Sequence, residues 1–481
     1  MTHYDRYGLF IAGHWQPAAA GGTLEVIDPA TEDSLGRIAR AESADLDRVL
    51  ASLAEVAGPW RATPGWSRSA ILRETARRMV ARADAAAQAI SAETGKPLAE
   101  ARGEWLAAAE QFDWQADEAR RIFGHSLRGR EPGVILDVRY EPVGPVAAFT
   151  AWNFPALLPA RKVAAALAAG CPIVVKPSEE APTAMFLIAE SAAEAGLPEG
   201  VLAVVTGDPA TISSHLVASP VIRKVSVTGS VPVGRLLAEQ AARGLKKVTM
   251  ELGGHAPVLV FADADAAAAG AACARTKFRN AGQVCISPSR FFVHEDVYAP
   301  FAAAMADTAR ALRIGHGHEP GTEVGPMANA RGRRRILDLI ADAREKGAEV
   351  LAGGGVPAGR NRGYFVEPTV LGRVPDHARI LSEEPFGPVA PIQTFRDEAE
   401  VIGRANALPF GLAAYVFTRS MATADRAVDA LEAGMVGVND LLLATAEAPF
   451  GGVKDSGMGR EGGRIGILDY LEPKYVKYRS A

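Results

Sequence analysis

From residue 143 onwards, short apolar runs alternate with longer, alanine-rich stretches. The apolar runs, which predict strands, are VGPVAAF, PIVVK, VLAVVTG, RKVSVTG and KKVTMEL. The stretches between them, ALLPARKVAAALAAG, TAMFLIAESAAEAG, TISSHLVAS and VGRLLAEQAARG, predict helices, two of which end at Gly170 and Gly196. Strands that alternate with helices need crossover connections, so the pattern predicts a doubly wound, Rossmann-like parallel sheet. Such a sheet favours a ligand at the carboxyl ends of its strands.

The flanking segments also predict α/β structure. The first 120 residues contain two helical stretches, ADLDRVLASLAEVAGPW and SRSAILRETARRMVARADAAAQAISAETG, the second ending at Gly95. A second α/β region, from about 252 to 435, contains the strands APVLVF, RFFVH and AAYVF and the helix DADAAAAGAACARTKFRNAG. The final EPKYVKYRS alternates polar and apolar residues, which predicts a terminal strand paired with another element or another subunit.

Composition narrows the functional classes. A chain of 481 residues predicts two or three domains, and 48% hydrophobic with 22% charged residues is ordinary for a globular protein. The formal net charge of -4 gives no reason to expect nucleic acid or a membrane surface as a partner. Three cysteines argue for a reducing compartment, and the N-terminus lacks a signal-peptide pattern, so we expect a cytoplasmic enzyme. The scattered histidines predict no metal site.

One cysteine has a polar context. Cys171 and Cys273 lie in apolar or alanine-rich surroundings, which is typical of small buried residues. Cys285 lies in KFRNAGQVCISPSR, where a partly exposed thiol could act as a nucleophile. A lone cysteine leaves both interpretations open without a partner.

Two further residues could supply that partner chemistry. Glu251 ends the strand KKVTM beside two glycines, so its carboxylate is either free to project into a cleft or held in a salt bridge. Asn153, in FTAWNFP between a strand and a helix, could donate to a developing oxyanion or cap the helix.

Six segments, in order along the chain, together resemble the aldehyde dehydrogenase superfamily, and most closely its succinate-semialdehyde dehydrogenase branch. They are FTAWNFPALLPARKVAAALAAGCPIVVKPSE, VTGSVPVG, MELGGHAP, FRNAGQVC, EEPFGPV and PFGGVKDSGMGREGG. The resemblance implies an α/β fold with a Rossmann-like NAD-binding domain (1–118 and 140–250), a catalytic α/β domain (251–435) and a small β oligomerisation arm (119–139 and 463–481). It also implies a homodimer or homotetramer.

The resemblance implies a role for each of the three candidate catalytic residues. Cys285 matches the nucleophile, Glu251 the general base and Asn153 the oxyanion donor. Relatives that transfer the acyl group to coenzyme A typically lack this glutamate, so its presence favours hydrolysis. Two competing classes are a cofactor-free thiol hydrolase and a non-catalytic binding protein. The cofactor motifs argue against the first, and the joint presence of all three residues argues against the second.

The cofactor implied by the resemblance is NAD, with NADP as the alternative. No GxGxxG follows the relevant strands, and VTGSVPVG takes its place, with Ser230 able to cap the following helix and leave free amides for a diphosphate. A carboxylate at Glu179 would bind both ribose hydroxyls and repel a 2′-phosphate. The predicted cofactor residues are Thr150, Trp152, Lys176, Ser178, Glu179, Gly229, Ser230, Gly234, Leu252, Glu384 and Phe386.

Two arginines indicate the substrate class. In the succinate-semialdehyde branch, arginines at the positions of Arg161 and Arg279 bind the distal carboxylate of the substrate. The usual hydroxyl contact falls at about Ala444, with Thr445 adjacent, so a longer acid such as glutarate or 2-oxoglutarate semialdehyde is an alternative. We therefore expect a short ω-semialdehyde acid, succinate semialdehyde first, with a broad-specificity aldehyde dehydrogenase as the remaining possibility.

Overall fold

A computed structural model, which describes residues 3–480, forms strands and helices in the predicted alternating order. The strands, β1 to β22 in chain order, are Leu9–Ile11, His14–Gln16, Thr23–Ile27, Ser34–Ala39, His125–Arg128, Val134–Pro142, Val146–Phe149, Ile173–Lys176, Leu202–Val204, Lys224–Gly229, Lys247–Leu252, Ala256–Val260, Pro288–His294, Glu349–Ala352, Thr369–Gly372, Val389–Phe395, Phe410–Gly411, Ala413–Phe417, Met435–Val438, Val453–Lys454, Gly457–Met458 and Leu471–Arg479. The α-helices, α1 to α14, are Ser43–Ala62, Gly65–Ala81, Ala83–Thr94, Leu98–Glu118, Leu157–Ala169, Thr183–Glu194, Pro209–Ala218, Val231–Ala242, Ala266–Phe278, Tyr298–Ala311, Ala330–Glu345, Glu398–Asn406, Met421–Ala430 and Gly463–Leu468. Short 3₁₀ segments lie at His3–Arg6, Arg279–Gly282, Glu295–Val297 and Arg379–Leu381.

The predicted parallel sheet is confirmed. Its order is β2-β1-β9-β8-β7-β10-β11-β21, in which β9, β8, β7, β10 and β11 are mutually parallel. Strand β7 therefore lies between β8, which follows it directly, and β10, which comes later in the chain. At this reversal of strand order the loops after β7 and β10 leave the same edge of the sheet, the position at which such sheets bind ligands. Asn153 follows β7 and Ser230 follows β10.

Alternating residues of each strand bury opposite faces of this sheet. Val146 and Ala148 pack with helices α2 to α6 on one side. Ala147 and Phe149 pack with α1, α7 and α8 on the other side. Because helices cover both faces, residues of both parities are buried along β7 to β9 and along most of β10 and β11, including polar residues such as Ser226 and Thr249.

The second sheet has the order β14-β15-β16-β13-β12-β18-β19 and is parallel except for the β14–β15 pair. Helices α9, α10 and α11 cover one face, where Val258 and Phe291 are buried. Helices α12 and α13 cover the other, against Leu259 and Phe292. The fold is thus mixed α/β with two sheets rich in parallel pairs, as predicted.

A third, antiparallel sheet of order β22-β6-β5 forms a small arm. The predicted terminal strand pairs with β6 of its own chain, from Leu471 opposite Pro142 to Arg479 opposite Val134. The domain limits and the oligomerisation role of this arm stay predictions. No helix within residues 3–480 is both long and apolar enough to cross a membrane.

One helical stretch differs from the pattern. The segment ending at Gly95 was expected to be continuous, but it divides into α2 and α3 at Arg82, whose φ and ψ are -98° and 8°. The Arg82 guanidinium donates to Ser191 and Glu194 on α6, which fixes the turn at that point. Gly95 ends α3 with φ 76° and Gly170 ends α5 with φ 91°, the left-handed conformation that glycine adopts readily.

Candidate active site

Cys285 differs from the other two cysteines in its exposure. Cys171 and Cys273 are buried, whereas Cys285 is partly exposed. It lies in a cleft that contains Asn153 and Glu251, in a cavity of about 310 Å³. The structure therefore brings together the three residues predicted to be catalytic.

The backbone before Cys285 has an unusual shape. Asn280, Ala281 and Gly282 are three consecutive residues with positive φ, at 50°, 51° and 73°. A Cβ at Gly282 would lie 2.1 Å from the carbonyl oxygen of Gly387, so only glycine fits there. The partly buried Glu100 accepts a hydrogen bond from the Asn280 N–H at 2.8 Å, which helps to hold the strained turn.

Asn153 is fixed by the same loop. Its Nδ2 donates to the carbonyl of Gln283 at 3.1 Å, and its own carbonyl accepts from Asn280 Nδ2 at 3.0 Å. It is not a helix cap, because the N-cap of α5 is Ala156. An amide nitrogen has two N–H groups, so one remains for an oxyanion beside Cys285.

Residues of the N-terminal helical region support this arrangement. Lys96 Nζ donates to the Asn153 carbonyl at 2.9 Å and forms a buried ion pair with Glu104. Glu104 Oε1 also accepts from the backbone N–H groups of Ala156 and Leu157, at 2.8 and 3.3 Å. This one carboxylate therefore serves both the lysine and the start of α5, where backbone donors lack helical partners.

Glu251, the second-last residue of β11, has a buried carboxyl group. Within residues 3–480 neither of its oxygens has a conventional hydrogen-bond partner, and no ion pair forms, so the salt-bridge alternative fails. Burial, and next the charge of Glu461, raise the pKa of Glu251 to about 7. Glu461 itself is ion-paired with the buried Lys162. A carboxyl group with a pKa near neutrality is suited to proton transfer.

The thiol and this carboxyl group influence each other. Although Cys285 is partly exposed, most of its surroundings are protein, and this burial, and next the Glu251 charge, raise the pKa of its thiol well above the ordinary value, whereas the Arg161 charge lowers it. A side-chain interaction between Cys285 and Glu251 lowers the pKa of the carboxyl group in turn. The thiol is therefore protonated at rest, and the nearby carboxylate is a base that can take its proton.

A second cavity, of about 320 Å³, reaches Cys285 and contains both predicted arginines. Arg161 is almost fully buried, with its guanidinium 3.9 Å from the centre of the Phe450 ring. Arg279 lies 5.7 Å from the Phe154 ring centre. In the described part of the chain, the Nε atoms of both arginines are buried without a hydrogen-bond partner.

The other charges in this cavity are occupied. Lys96 and Glu104 pair with each other, and Glu100 is bound to the Asn280 backbone. Burial raises the pKa of Glu100, which favours its neutral form. Ala444 lines the cavity, but Thr445 is not among the lining residues. A ligand carboxylate would therefore meet the two guanidiniums as the available charged donors.

Most predicted cofactor residues line the cavity of about 310 Å³ that contains Cys285. These are Trp152, Gly229, Ser230, Leu252, Glu384 and Phe386. Lys176 and Glu179 form an ion pair at the end of β8. Of the other three, the Thr150 N–H donates to the Lys176 carbonyl at 3.2 Å, Ser178 is buried, and Gly234 packs so closely on Leu252 that a Cβ would lie 2.4 Å from it.

The cleft fits a dinucleotide. Ser230 occupies the N-cap of α8 but, contrary to expectation, its side chain makes no capping bond, so the first amides of this helix stay available for a diphosphate. Thr228 Oγ1 is a buried donor without a partner among the described residues. The rings of Trp152 and Phe386 lie 5.7 Å apart, and Glu384 Oε1 accepts from the Gly254 N–H at 3.1 Å. Polar and aromatic groups suited to a nicotinamide nucleotide thus converge here.

Sequence reasoning missed two basic residues of this cleft. Arg331 and Arg335, on α11, line the cavity, and Asn329 caps that helix by accepting from the Gly332 N–H at 2.8 Å. The sequence feature that could have revealed them is the run ANARGRRR. It places arginines in the first turn of a helix, where the helix dipole disfavours positive charge, so a binding role is a reason for them to be there. No group of three or more potential metal ligands occurs within residues 3–480.

Comparisons with known proteins agree with this geometry. The profile of the aldehyde dehydrogenase family matches residues 15–476. The glutarate-semialdehyde dehydrogenase of Pseudomonas putida is 43% identical over 471 residues, covering 98% of this chain and 97% of that protein. The NADP(+) succinate-semialdehyde dehydrogenase GabD of Escherichia coli is also 43% identical, with coverages of 98% and 97%.

A solved structure is similar throughout its length. The succinate-semialdehyde dehydrogenase from Burkholderia pseudomallei superposes with a TM-score of 0.97 at 44% identity, covering 98% of each chain. The chain therefore belongs to the aldehyde dehydrogenase family, as an NAD(P)-dependent enzyme that oxidises an aldehyde.

Proposed function

We propose that the enzyme oxidises a short aldehyde with a distal carboxylate, succinate semialdehyde first, to the dicarboxylic acid. The observation that supports this substrate is the pair Arg161 and Arg279 in the walls of the cavity that reaches Cys285, where their Nε atoms have no hydrogen-bond partner among the described residues. Each charge-assisted hydrogen bond to a carboxylate contributes about 1.5–3 kcal/mol. An uncharged aldehyde would leave both guanidiniums without such bonds.

The reaction begins at Cys285. Glu251 takes the thiol proton, and the thiolate attacks the aldehyde carbon to form a thiohemiacetal. The free N–H of Asn153 and the backbone N–H of Cys285 donate to the oxyanion. The nicotinamide cofactor, when bound, supplies the hydride acceptor that converts this adduct to a thioester. Glu251 first releases the thiol proton to solvent. It then takes a proton from the water that attacks the thioester, and it returns this proton to the departing thiolate, which releases the acid and restores the thiol.

NAD is the proposed cofactor, held by the residues that line the cleft and by the Lys176–Glu179 pair. The support is the carboxylate of Glu179, which would accept bonds from ribose hydroxyls and repel a 2′-phosphate. NADP remains the alternative, because GabD of E. coli is named for NADP(+).

Glutarate or 2-oxoglutarate semialdehyde is a second candidate substrate. The observation that favours a longer acid is Ala444, a small residue in the cavity wall where the resemblance led us to expect a hydroxyl contact. Thr445, still a candidate substrate residue, would have to reach the cavity from the adjacent position.

A kinetic panel tests the substrate class. We expect Arg161→Ala and Arg279→Ala each to raise KM for succinate semialdehyde by about tenfold or more, and to change KM for butanal by less than about twofold. Arg419→Ala is the matched control, because Arg419 is exposed and lines neither active-site cavity. Equal losses on both aldehydes, or a native preference for butanal, would contradict the proposed substrate.

We also propose that the arm joins subunits in a homodimer or homotetramer. Support comes from large apolar side chains exposed on or beside it: Phe123, Leu127, Ile135, Tyr475 and Tyr478. Replacing Leu127 and Tyr475 by Asp should produce a smaller species in light scattering coupled to gel filtration. A wild-type monomer would contradict this proposal.

A further inference from the structure

A third cavity, of about 380 Å³, has Arg279 in its wall but does not reach Cys285. It is bounded by α9, the segment after Cys285, β18 and the segment 439–444. It shares five wall residues with the substrate cavity: Arg279, Val284, Ile286, Leu442 and Ala444. Arg279 therefore stands between two cavities of similar size, and only one of them contains the nucleophile.

A second arginine lines this outer cavity. Arg275 is exposed and lies in the last turn of α9, four residues before Arg279, which follows the end of that helix; both arginines line this cavity. Within the described range it forms no hydrogen bond and no ion pair, unlike most arginines of this chain. The side chain is thus a free cation directed at a space with no assigned role.

The other walls define what could enter. Phe417, Leu441 and Ile286 are apolar, which suits a methylene chain. The opposing carboxylate in this lining is Asp440, whose Oδ1 accepts from the Leu442 N–H at 2.9 Å. Two guanidiniums against one carboxylate leave the cavity with an excess of positive charge, so the terminal group it favours is an anion.

We propose that this outer cavity is an extension of the substrate site that takes the distal carboxylate of ω-oxo acids longer than five carbons. The inference depends on the proposed function, in which the aldehyde lies at Cys285 and Arg279 binds the carboxylate of short acids. In a longer acid the chain passes Arg279, its methylenes contact the apolar walls, and its carboxylate binds Arg275. The enzyme then accepts a series of chain lengths through two successive arginines, one in the last turn of α9 and one directly after it.

The test is a series of ω-oxo acids from four to eight carbons, together with uncharged aldehydes of the same lengths. The readout is kcat/KM for each long acid divided by kcat/KM for succinate semialdehyde. Arg275→Ala should lower this ratio about tenfold or more, as expected for one lost charge-assisted hydrogen bond. Arg275→Lys should restore part of it, and Ala272→Leu, which fills the outer cavity without removing charge, should also lower it.

The remaining outcomes separate this inference from the proposed function. Arg419→Ala should leave the ratio unchanged, and the long uncharged aldehydes should not respond to Arg275→Ala. If Arg279→Ala impairs short acids but Arg275→Ala changes no ratio, the outer site is wrong and the proposed function stands. If the wild type prefers no ω-oxo acid over the uncharged aldehyde of the same length, both the outer site and the proposed function are wrong. Because Arg275 is exposed, its variants should have the melting temperature of the wild type. A lower melting temperature, together with an equal loss of kcat/KM for acids of every length, would overturn the inference.

Discussion

Replacing Glu251 with Gln should change how the stability of the enzyme depends on pH. The carboxyl group of Glu251 is buried without conventional hydrogen-bond partners among the described residues, and its pKa is raised from 4.5 to about 7 by burial and by Glu461. A difference of this size between folded and unfolded states corresponds to about 3 kcal/mol. Glutamine has a similar shape but does not titrate.

The sign follows from proton binding. Because the folded pKa is the higher one, the folded state binds the proton more tightly than the unfolded state does. The resulting stabilisation is fully present below about pH 4.5 and is lost as the pH rises through about 7. The Glu251→Gln variant does not lose this stabilisation. The free energy of unfolding of the variant minus that of wild type should therefore be higher at pH 8 than at pH 5 by about 2–3 kcal/mol. The free-energy cost of burying the glutamine amide does not depend on pH, so it cancels when the difference at pH 8 is compared with the difference at pH 5.

The assay is urea unfolding of both proteins without cofactor, followed by tryptophan fluorescence at pH 5, 6.5 and 8. Glu345→Gln is the matched control, because Glu345 is exposed and should show no pH-dependent difference from wild type. A Glu251→Gln difference that is the same at every pH, or that shrinks as the pH rises, would refute the reasoning. It would mean that the buried carboxyl group has a partner, such as a bound cation, that stabilises its charge.

Four further outcomes are expected. Glu251→Gln should still give a burst of NADH, because loss of the Glu251 charge lowers the pKa of Cys285 and offsets the loss of this base, but turnover should then be slow because no carboxylate activates water; full steady-state turnover would require another base. Cys285→Ala should abolish dehydrogenase and esterase activity, while Cys273→Ala should retain turnover, as measured with succinate semialdehyde and with a nitrophenyl ester. Glu179→Ala should narrow or reverse the preference for NAD, and a higher kcat/KM with NADP in the wild type would contradict that role. Gly282→Ala should lower stability by about 2 kcal/mol or more and eliminate most activity, because the new Cβ would lie 2.1 Å from the Gly387 oxygen; unchanged melting and kinetics would show that the loop adapts.

Local patterns predicted the elements that place the reactive groups. Asn153 and Glu251 were found because Asn153 follows β7 and Glu251 lies near the end of β11, and the carboxyl ends of parallel strands meet at one edge of a sheet. Gly95 and Gly170 were correct as helix ends because the left-handed conformation is a local property. The pair Arg161 and Arg279 was predicted from the family resemblance, and the structure adds that both line the same cavity.

The errors and omissions arise where distant segments decide the outcome. The break at Arg82 depends on a glutamate more than a hundred residues later, on α6. Arg331 and Arg335 reach the cofactor cleft from α11, and no local pattern relates that helix to Ser230. The missing cap at Ser230 and the position of Thr445 outside the lining both depend on side-chain packing in irregular segments.

The Lys96–Glu104 pair has a consequence for how this protein can evolve. Lys96 precedes α4 and Glu104 lies within it, yet they hold the Asn153 carbonyl and the first amides of α5. The N-terminal helices are therefore not a module that could be exchanged between relatives without altering the oxyanion donor. We expect chimaeras joined between residues 118 and 150 to be active only when both parents carry this lysine and glutamate. Among relatives, the segment with Lys96 and Glu104 and the segment with Asn153 should therefore be inherited together.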